Sequence, residues 1–398
     1  MSVQTMCNVD PHDAKACLGQ LLSCAELGCE LFRMTVPDAE SARVLGEVRK
    51  GSPIPIVADI HFDYRCALAA IEAGTDALRL NPGNIGSRDR VQAVARAAKA
   101  KGVPIRIGVN GGSLEKDLAL RLQADGSPLP HLLCESALRH LKMLEDEDFH
   151  DVVISAKASN VQETLAVYRE LAERTDCPLH LGVTEAGTLI PGAVRSSVAL
   201  GILLNEGIGD TIRVSLTNKP EKEVKVGLEI LRSLGLRPAG PSITSCPTCG
   251  RTRVDLVRIA SQVEDALEIL YRDQGSGIRD RCLSFPKVAV MGCAVNGPGE
   301  AKGADVALCG GDGEFLLFVR GELVCKVSEE DAVGKVVEHV VSRQYCRRTH
   351  RGRGCVCDGL AFRRGARGSA RPGCALVVRA DGRGPHLLSA APSRGDDL

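Results

Sequence analysis

The chain has no tryptophan and only 3% aromatic residues, four Tyr and seven Phe among 398 positions. Its cores must therefore be built from Leu, Val, Ile and Ala. No window approaches ~18 uninterrupted apolar residues, which argues against a membrane-spanning helix. The opening Met1-Ser2-Val3-Gln4-Thr5 has no basic start ahead of an apolar core, so it does not read as a secretory signal. Without such a signal, the 17 cysteines read as reduced thiols of a cytoplasmic protein. Most of them, such as Cys66 on an apolar helical face, read as small buried hydrophobes.

Lys and Glu are missing from residues 346–398, which hold 11 Arg, four Asp, nine Gly and four Cys. That segment sums to +7, and since the formal net charge is zero the remainder carries −7. A basic tail can bind nucleic acid. With no apolar periodicity it reads instead as a disordered or non-family extension, and neither nucleic acid nor membrane is expected as a partner. The abrupt change in composition is also what a shifted reading frame would produce.

Up to about residue 236, short β-branched runs alternate with longer amphipathic segments. The predicted strands are Val3–Met6, Leu31–Val36, Ile54–Asp59, Ala77–Asn81, Pro104–Val109, Val152–Lys157, Leu179–Thr184 and Thr211–Leu216. Helical patterns lie between them, among them Asp38–Lys50, Arg88–Lys101, Leu132–Leu144, Gln162–Glu173 and Glu221–Leu234. Eight strand-then-helix units predict an α/β fold with an N-terminal (β/α)8 TIM barrel over residues 1–236. The first strand begins so near Met1 that a short start is expected to be missing. Residues 237–241 read as a linker, and 242–345 as a small α+β domain: a helix at Arg253–Tyr271, a buried strand at Lys287–Met291, short strands over 304–327 and a closing helix at Glu329–Val341.

Near the C-terminal ends of the predicted strands stand Arg33, Asp59, His61, Arg79, Asn81, Arg106, Asn110, Lys157, Glu185, Arg213 and Ser215. Arg79 with Asn81, and Arg213 with Ser215, are two apart and so share a facing. Five cations on five strands with few acids among them are costly inside a barrel. An anionic ligand such as a diphosphate resolves that cost, and Arg suits it by bidentate geometry. Asn81-Pro82-Gly83-Asn84-Ile85-Gly86 adds a turn that can offer backbone N–H groups to phosphate. Glu185 reads as a general acid, partly desolvated and able to protonate a leaving hydroxyl.

In the second domain, Cys246-Pro-Thr-Cys249 is followed by Cys293 and then by Asn296-Gly-Pro-Gly-Glu300. Three thiols and an oxygen ligand suit an iron–sulfur cubane that keeps one iron reactive, since a purely electron-carrying cluster takes four thiolates. Structural zinc prefers Cys₄ or Cys₃His, and a redox dithiol needs neither Cys293 nor the acidic turn. Glu300 is the favoured fourth ligand, with Cys282 and Cys309 as alternatives.

Several stretches, taken together, resemble one known family. They are Val57-Ala-Asp-Ile-His-Phe-Asp63, Leu80-Asn-Pro-Gly-Asn-Ile-Gly86, Arg106-Ile-Gly-Val-Asn110, Ser113-Leu-Glu-Lys-Asp117, Thr184-Glu-Ala-Gly187, Glu206-Gly-Ile-Gly-Asp210, Cys246-Pro-Thr-Cys-Gly-Arg251 and Asn296-Gly-Pro-Gly-Glu300. From about residue 3 to 343 the chain resembles the 4-hydroxy-3-methylbut-2-enyl diphosphate synthase family in its bacterial two-domain form. The resemblance implies an iron–sulfur oxidoreductase of the non-mevalonate route to isoprenoids. Its substrate would be 2-C-methyl-D-erythritol 2,4-cyclodiphosphate, which is reduced by two electrons with ring opening and loss of water.

The resemblance also implies one [4Fe-4S] cluster per subunit on Cys246, Cys249, Cys293 and Glu300, with Glu300 giving way to substrate. Arg33, His61, Arg79, Arg106, Asn110, Lys157, Arg213 and Ser215 match substrate-binding positions, and Glu185 matches the proton donor. Flavodoxin or ferredoxin is the implied electron donor. Family members begin earlier than this chain, so with that start absent an incomplete first strand and an unclosed barrel are expected, and the segment after about Gln344 has no counterpart. The eighth helix runs away from the barrel mouth, and a linker of about six residues reaches at most ~20 Å. A homodimer whose active site is shared between chains is therefore expected, as the resemblance also implies. The rival readings are another anion-binding barrel of the pterin-dependent kind with a structural metal domain, and a zinc-stabilised binding module without catalysis.

Overall fold

Eight short parallel strands form the first half of the molecule, each followed by helix on its outer side. In this computed structural model the described residues are 1–349 except 82–84, 86, 87, 125, 238, 239, 242, 274–284 and 296, together with 378–379 and 386–387. The strands are β1 (Ser2–Met6), β2 (Leu31–Thr35), β3 (Ile56–Ile60), β4 (Ala77–Leu80), β5 (Ile105–Asn110), β6 (Val152–Lys157), β7 (His180–Leu181) and β8 (Thr211–Ile212). Their order is β6-β5-β4-β3-β2-β1-β8-β7. The parallel bridge Ile154–Leu179 joins the two ends, with the Ile154 N–H donating to Pro178 O at 2.9 Å. The ring therefore closes. β1 is paired on both sides, with β2 and with β8, so the expectation of an unclosed barrel does not hold.

The helices are α1 (Ala14–Glu26), α2 (Ala39–Gly51), α3 (Tyr64–Glu72), α4 (Arg88–Lys101), α5 (Lys116–Ala124), α6 (Leu129–Glu145), α7 (Val161–Arg174), α8 (Leu189–Asn205) and α9 (Pro220–Ser233). Several begin where the sequence supplies a cap. Asp13, Asp38, Asp63 and Asn160 each accept a backbone N–H of the first turn, and Asp38 forms a reciprocal capping box with Ser41. Each such cap contributes about 1 kcal/mol. All five residues of β3 are buried, as in a sheet covered on both faces. Apart from Tyr168 and Phe32 the largest fully buried side chains of the barrel are aliphatic or Met, as an aromatic-poor composition requires.

The main difference from the sequence reading lies at β7 and β8, which are two residues long rather than six. Beyond them the chain still bonds across the ring: Thr184 N–H to Ala158 O at 3.0 Å and Arg213 N–H to Leu181 O at 2.9 Å. The Leu216 N–H turns instead to the Glu223 carboxylate at 2.9 Å. At the mouth, side-chain fastening replaces the regular ladder.

The chain divides into two compact units between Leu236 and Arg237. In the second, β9 (Ile243–Ser245), β10 (Val288–Met291), β11 (Val306–Gly310), β12 (Glu314–Val319) and β13 (Glu322–Ser328) form one sheet in reverse order. The first three are mutually parallel and the last two antiparallel. Period-two alternation sends Val288, Val290, Val306, Leu308, Phe315 and Leu317 to one face. There they meet Leu256, Ile259, Val263 and Leu267 of α10 (Leu256–Asp273) and Ala332, Val336 and Val340 of α12 (Ala332–Thr349). The other face packs Ala289, Met291, Ala307, Cys309 and Phe318 beside Ala301, which follows the short α11 (Gly297–Glu300). α12 runs four residues into the segment read from sequence as tail. Most of that tail, and Pro238 and Ala239 of the linker, lie outside the described residues. Val378–Arg379 (β14) and His386–Leu387 (β15) pair antiparallel.

Candidate functional site

The cations predicted from five different strands come together at the barrel mouth. Arg33, Arg79, Arg106, Asn110, Lys157, Arg213 and Ser215 line one cavity of ≈ 430 Å³ measured out to its open rim. Ser155 and Thr184 line it too and were missed by the sequence reading. Ser155 lies two residues before Lys157 on β6, so parity was the signal that could have found it. Asn81 is buried but does not line the cavity. Most of the turn 82–87 lies outside the described residues.

Two buried carboxylates face these five cations. Asp59 is fully buried on β3, with Arg33 at 3.5 Å, Arg79 at 3.3 Å and His61 at 3.7 Å. Burial would raise its carboxyl, but Arg33, Arg79 and His61 together hold it below its ordinary value. Glu223 reaches in from α9, where it sits on the apolar stripe with Val224, Gly227 and Leu231. It accepts from Arg213 at 3.3 and 3.4 Å, from the Thr5 hydroxyl at 2.7 Å and from the Leu216 N–H at 2.9 Å. A carboxylate on a core-facing helical stripe was the signal in the sequence, and it went unread.

The remaining charge is poorly neutralised. Burial first, then neighbouring cations, brings Arg106 down to about 9. Burial likewise pulls Arg33 down to about 10, against the pull of Asp59. Lys157 is depressed well below its usual value by burial and then by Arg213, Arg33 and Arg106. Buried His180 of β7, unread in the sequence, is lowered by burial and by Arg106 and Lys157 and so stays neutral. Its Nδ1 lies 2.7 Å from the Thr211 hydroxyl. Arg33 Nε and Arg106 Nε are buried without a hydrogen-bond acceptor. An anion seated here would supply those acceptors and raise the depressed cations again by its opposite charge.

Glycine makes the crowding possible. A Cβ on Gly108 would stand 2.1 Å from Arg79 Nε, and one on Gly182 would stand 2.8 Å from Lys157 Nζ. The two cationic side chains occupy space that any other residue at those two positions would fill.

Removing one buried partner tests this balance. Asp59→Asn is expected to lower stability by about 3–5 kcal/mol, because Arg33 and Arg79 lose their shared counter-charge. Inorganic pyrophosphate should restore part of the loss, read by thermal melts with and without it. The folded-state pKa of Asp59 is depressed, so wild type keeps this contribution above the ordinary carboxylate range. It loses the contribution as pH falls below about 4, and the variant should lack that acid-side component. A variant that melts like wild type at neutral pH would show the pair to be energetically idle.

His61 follows β3 and reaches Asp59 from the rim, its side chain 44% exposed. Glu185 is also placed differently from expectation. It is exposed rather than partly desolvated, and it sits at φ 53° in the turn after β7. A non-glycine residue holds a left-handed backbone at a cost of about 1–2 kcal/mol. The turn is fastened by Arg195 donating to Ala186 O at 2.9 Å and by the Thr217 N–H donating to Gly187 O at 2.9 Å. That strained turn carries the carboxylate outward at the rim while the neighbouring Thr184 faces the cavity.

In the second unit, Ser245 is opposite Val290 in the parallel pair β9–β10. Cys246 and Cys293 therefore leave the same end of neighbouring strands, and Cys249 lies in the loop after Cys246. The Gly292 N–H donates to Cys246 Sγ at 3.1 Å. Cys249 is exposed, and the Arg251 backbone N–H, followed by that residue's side chain, holds its thiol below the usual value. Thiolate character, soft donors and an N–H directed at sulfur fit an iron–sulfur group. Among the described residues no three His, Cys, Asp or Glu side chains stand close enough to grip a metal ion. Thiolates are drawn together by the cation they bind. Cys309, one alternative ligand, is fully buried in the apolar layer behind α11. Cys282, Asn296 and the Glu300 side chain lie outside the described residues.

Residues 1–228 match the family model described as the GcpE TIM-barrel domain, and residues 242–342 match that of the GcpE protein C-terminal domain. The chain belongs to the GcpE family. Among its GcpE relatives, the 4-hydroxy-3-methylbut-2-en-1-yl diphosphate synthase (flavodoxin) of Maridesulfovibrio salexigens is 54% identical over 329 residues, 83% of this chain and 88% of that protein. The protein of the same name from Geobacter sulfurreducens is 52% identical over 339 residues, 85% of this chain and 92% of its own. That of Clostridium acetobutylicum is 50% identical over 340 residues, 85% and 93% respectively. Among the described residues of this GcpE chain, no helix is long and apolar enough to cross a membrane.

Proposed function

We propose that this chain is a 4-hydroxy-3-methylbut-2-enyl diphosphate synthase acting in the cytoplasm on the non-mevalonate route to isoprenoids. It reduces 2-C-methyl-D-erythritol 2,4-cyclodiphosphate by two electrons, opens its ring and releases water. The observation that carries this reading is the mouth itself, where five cations face two buried carboxylates inside a GcpE barrel. The formal excess of three positive charges suits a cyclic diphosphate, and the names of the relatives support it.

In this reading Arg33, Arg79, Arg106, Lys157 and Arg213 hold the diphosphate, and the guanidinium groups fix its orientation by paired hydrogen bonds. His61, Asn110 and Ser215 add polar contacts to the same substrate. Glu185 delivers the proton that lets the hydroxyl leave as water. Residues 1–236 form the substrate domain and 242–345 the cluster domain, joined by 237–241, with 346–398 outside the family fold. Cys246, Cys249, Cys293 and Glu300 hold one [4Fe-4S] cluster. When bound, that group would supply one-electron transfer, with flavodoxin or ferredoxin as the donor.

Anaerobically prepared protein is expected to be brown, to bleach with dithionite and to open the cyclic diphosphate with a reduced viologen as donor. A colourless protein holding zinc would leave a binding module. A fully clustered protein that leaves the cyclic diphosphate intact would assign the mouth to another anion.

The active site is further proposed to be shared between the chains of a homodimer. Mixing Glu185→Gln with Cys293→Ser subunits, each inactive alone, should then regain activity through heterodimers with one intact composite site. Subunit exchange verified by mass with no activity regained would refute the shared site.

A further inference from the structure

Two thiols that the proposed reaction does not use meet at the lip of the barrel. Cys7 directly follows β1, and Cys17 lies in the first turns of α1. Their Sγ atoms are 3.7 Å apart. Cys17 is fully buried while Cys7 is partly exposed. Both sit on fastened backbone: the Cys7 N–H donates to Arg33 O at 2.8 Å and the Cys17 N–H to Asp13 O at 2.9 Å. The loop between them is folded back by Asn8 and Gln20, which exchange hydrogen bonds of 3.0 and 2.6 Å. The ends of a cross-link are therefore already in place, and little chain entropy remains to be lost in closing it.

We propose that Cys7 and Cys17 are a reversible disulfide-forming pair, a covalent modification site of the barrel mouth whose oxidant is a hydroperoxide. Hydrogen peroxide oxidises the Cys7 sulfur to a sulfenic acid and is itself reduced to water. The Cys17 sulfur then attacks the Cys7 sulfur; the S–S bond forms, the S–O bond breaks, and the hydroxyl leaves with the Cys17 proton as water. Two thiols and one peroxide give one disulfide and two waters.

The contrast with the other barrel thiols supports selectivity. Cys29 and Cys134 are buried, and burial pushes both up to about 12. Cys7 is held below the ordinary thiol range, chiefly by its hydrogen bond with Cys17. Cys17 is raised chiefly by that same bond and then by burial; the first of these restraints ends once Cys7 carries oxygen. The pair is also linked to the anion site. Met6, the residue before Cys7, accepts a 2.9 Å contact at Sδ from Arg33 Nη2, so drawing Cys7 toward α1 shifts a neighbour of a mouth cation.

The test uses the full anaerobic chain, treated with equimolar hydrogen peroxide, blocked with N-ethylmaleimide and digested with trypsin without reduction. Lys15 separates the two cysteines, so the cross-link joins peptides 1–15 and 16–33 with loss of two hydrogens. Fragmentation locates it at Cys17 rather than Cys24 or Cys29. Dithiothreitol should reverse it and Cys17→Ser should abolish it. Recovery of Cys7 as sulfinic acid with Cys17 as a free thiol would overturn the pair. Affinity for inorganic pyrophosphate should fall several-fold on oxidation and return on reduction. A cross-linked protein of unchanged pyrophosphate affinity would overturn the link to the mouth.

Discussion

Cys293→Ser is expected to yield protein with no cluster and no turnover, whereas Glu300→Ala retains part of its iron. A serine oxygen is a hard, reluctantly ionised ligand where a soft thiolate is required. Its loss leaves two of the three sulfur donors, both on the single loop after β9. Removing Glu300 leaves all three thiolates, drawn from two loops that leave the same end of the β9–β10 pair. Iron and acid-labile sulfide on the two anaerobic proteins decide the matter. If Cys293→Ser keeps a full complement of both, the ligand assignment is wrong, and Cys282 or the buried Cys309 takes its place. The fold should survive either change, because the Val290–Leu308–Leu317 layer and its covering helices do not depend on these side chains.

Glu185→Gln is expected to lower turnover by about 10²–10⁴ while cluster content and pyrophosphate affinity stay as in wild type. The amide keeps the shape of the carboxyl but cannot release the proton that the leaving hydroxyl requires. Because Glu185 is exposed and sits on a turn fastened by Arg195 and Thr217, the substitution should leave the melting temperature unchanged. Near-normal turnover by the fully clustered variant would place the acid elsewhere. A lower pyrophosphate affinity with the same turnover would make Glu185 a binding residue instead.

Much of this was legible in the chain. The eight strands and the main amphipathic helices follow from local periodicity, and Asp13, Asp38, Asp63 and Asn160 mark where helices begin. The three cysteines stand out by spacing, and the mouth cations by their places at strand ends. What the reading missed was of one kind. Glu223 pairs with Thr5 across 218 residues of chain, and Arg106 with Gln4 across 102. Glu185 was expected to be partly desolvated, but a left-handed turn leaves it exposed.

The sequence alone determined the alternation of strand and helix, that the molecule has two domains, and which cations and thiols stand at the strand ends. Those properties depend on residues within a few positions of one another. Closure through Ile154 and Leu179, the assignment of Asp59 and Glu223 as counter-ions, the space beside Gly108 and Gly182, and the meeting of Cys7 with Cys17 were decided only by the tertiary structure. Ionic and steric contacts depend on distance in space, and only the curved sheet brings Thr5 of β1 to Glu223 of α9 and Gln4 of β1 to Arg106 of β5.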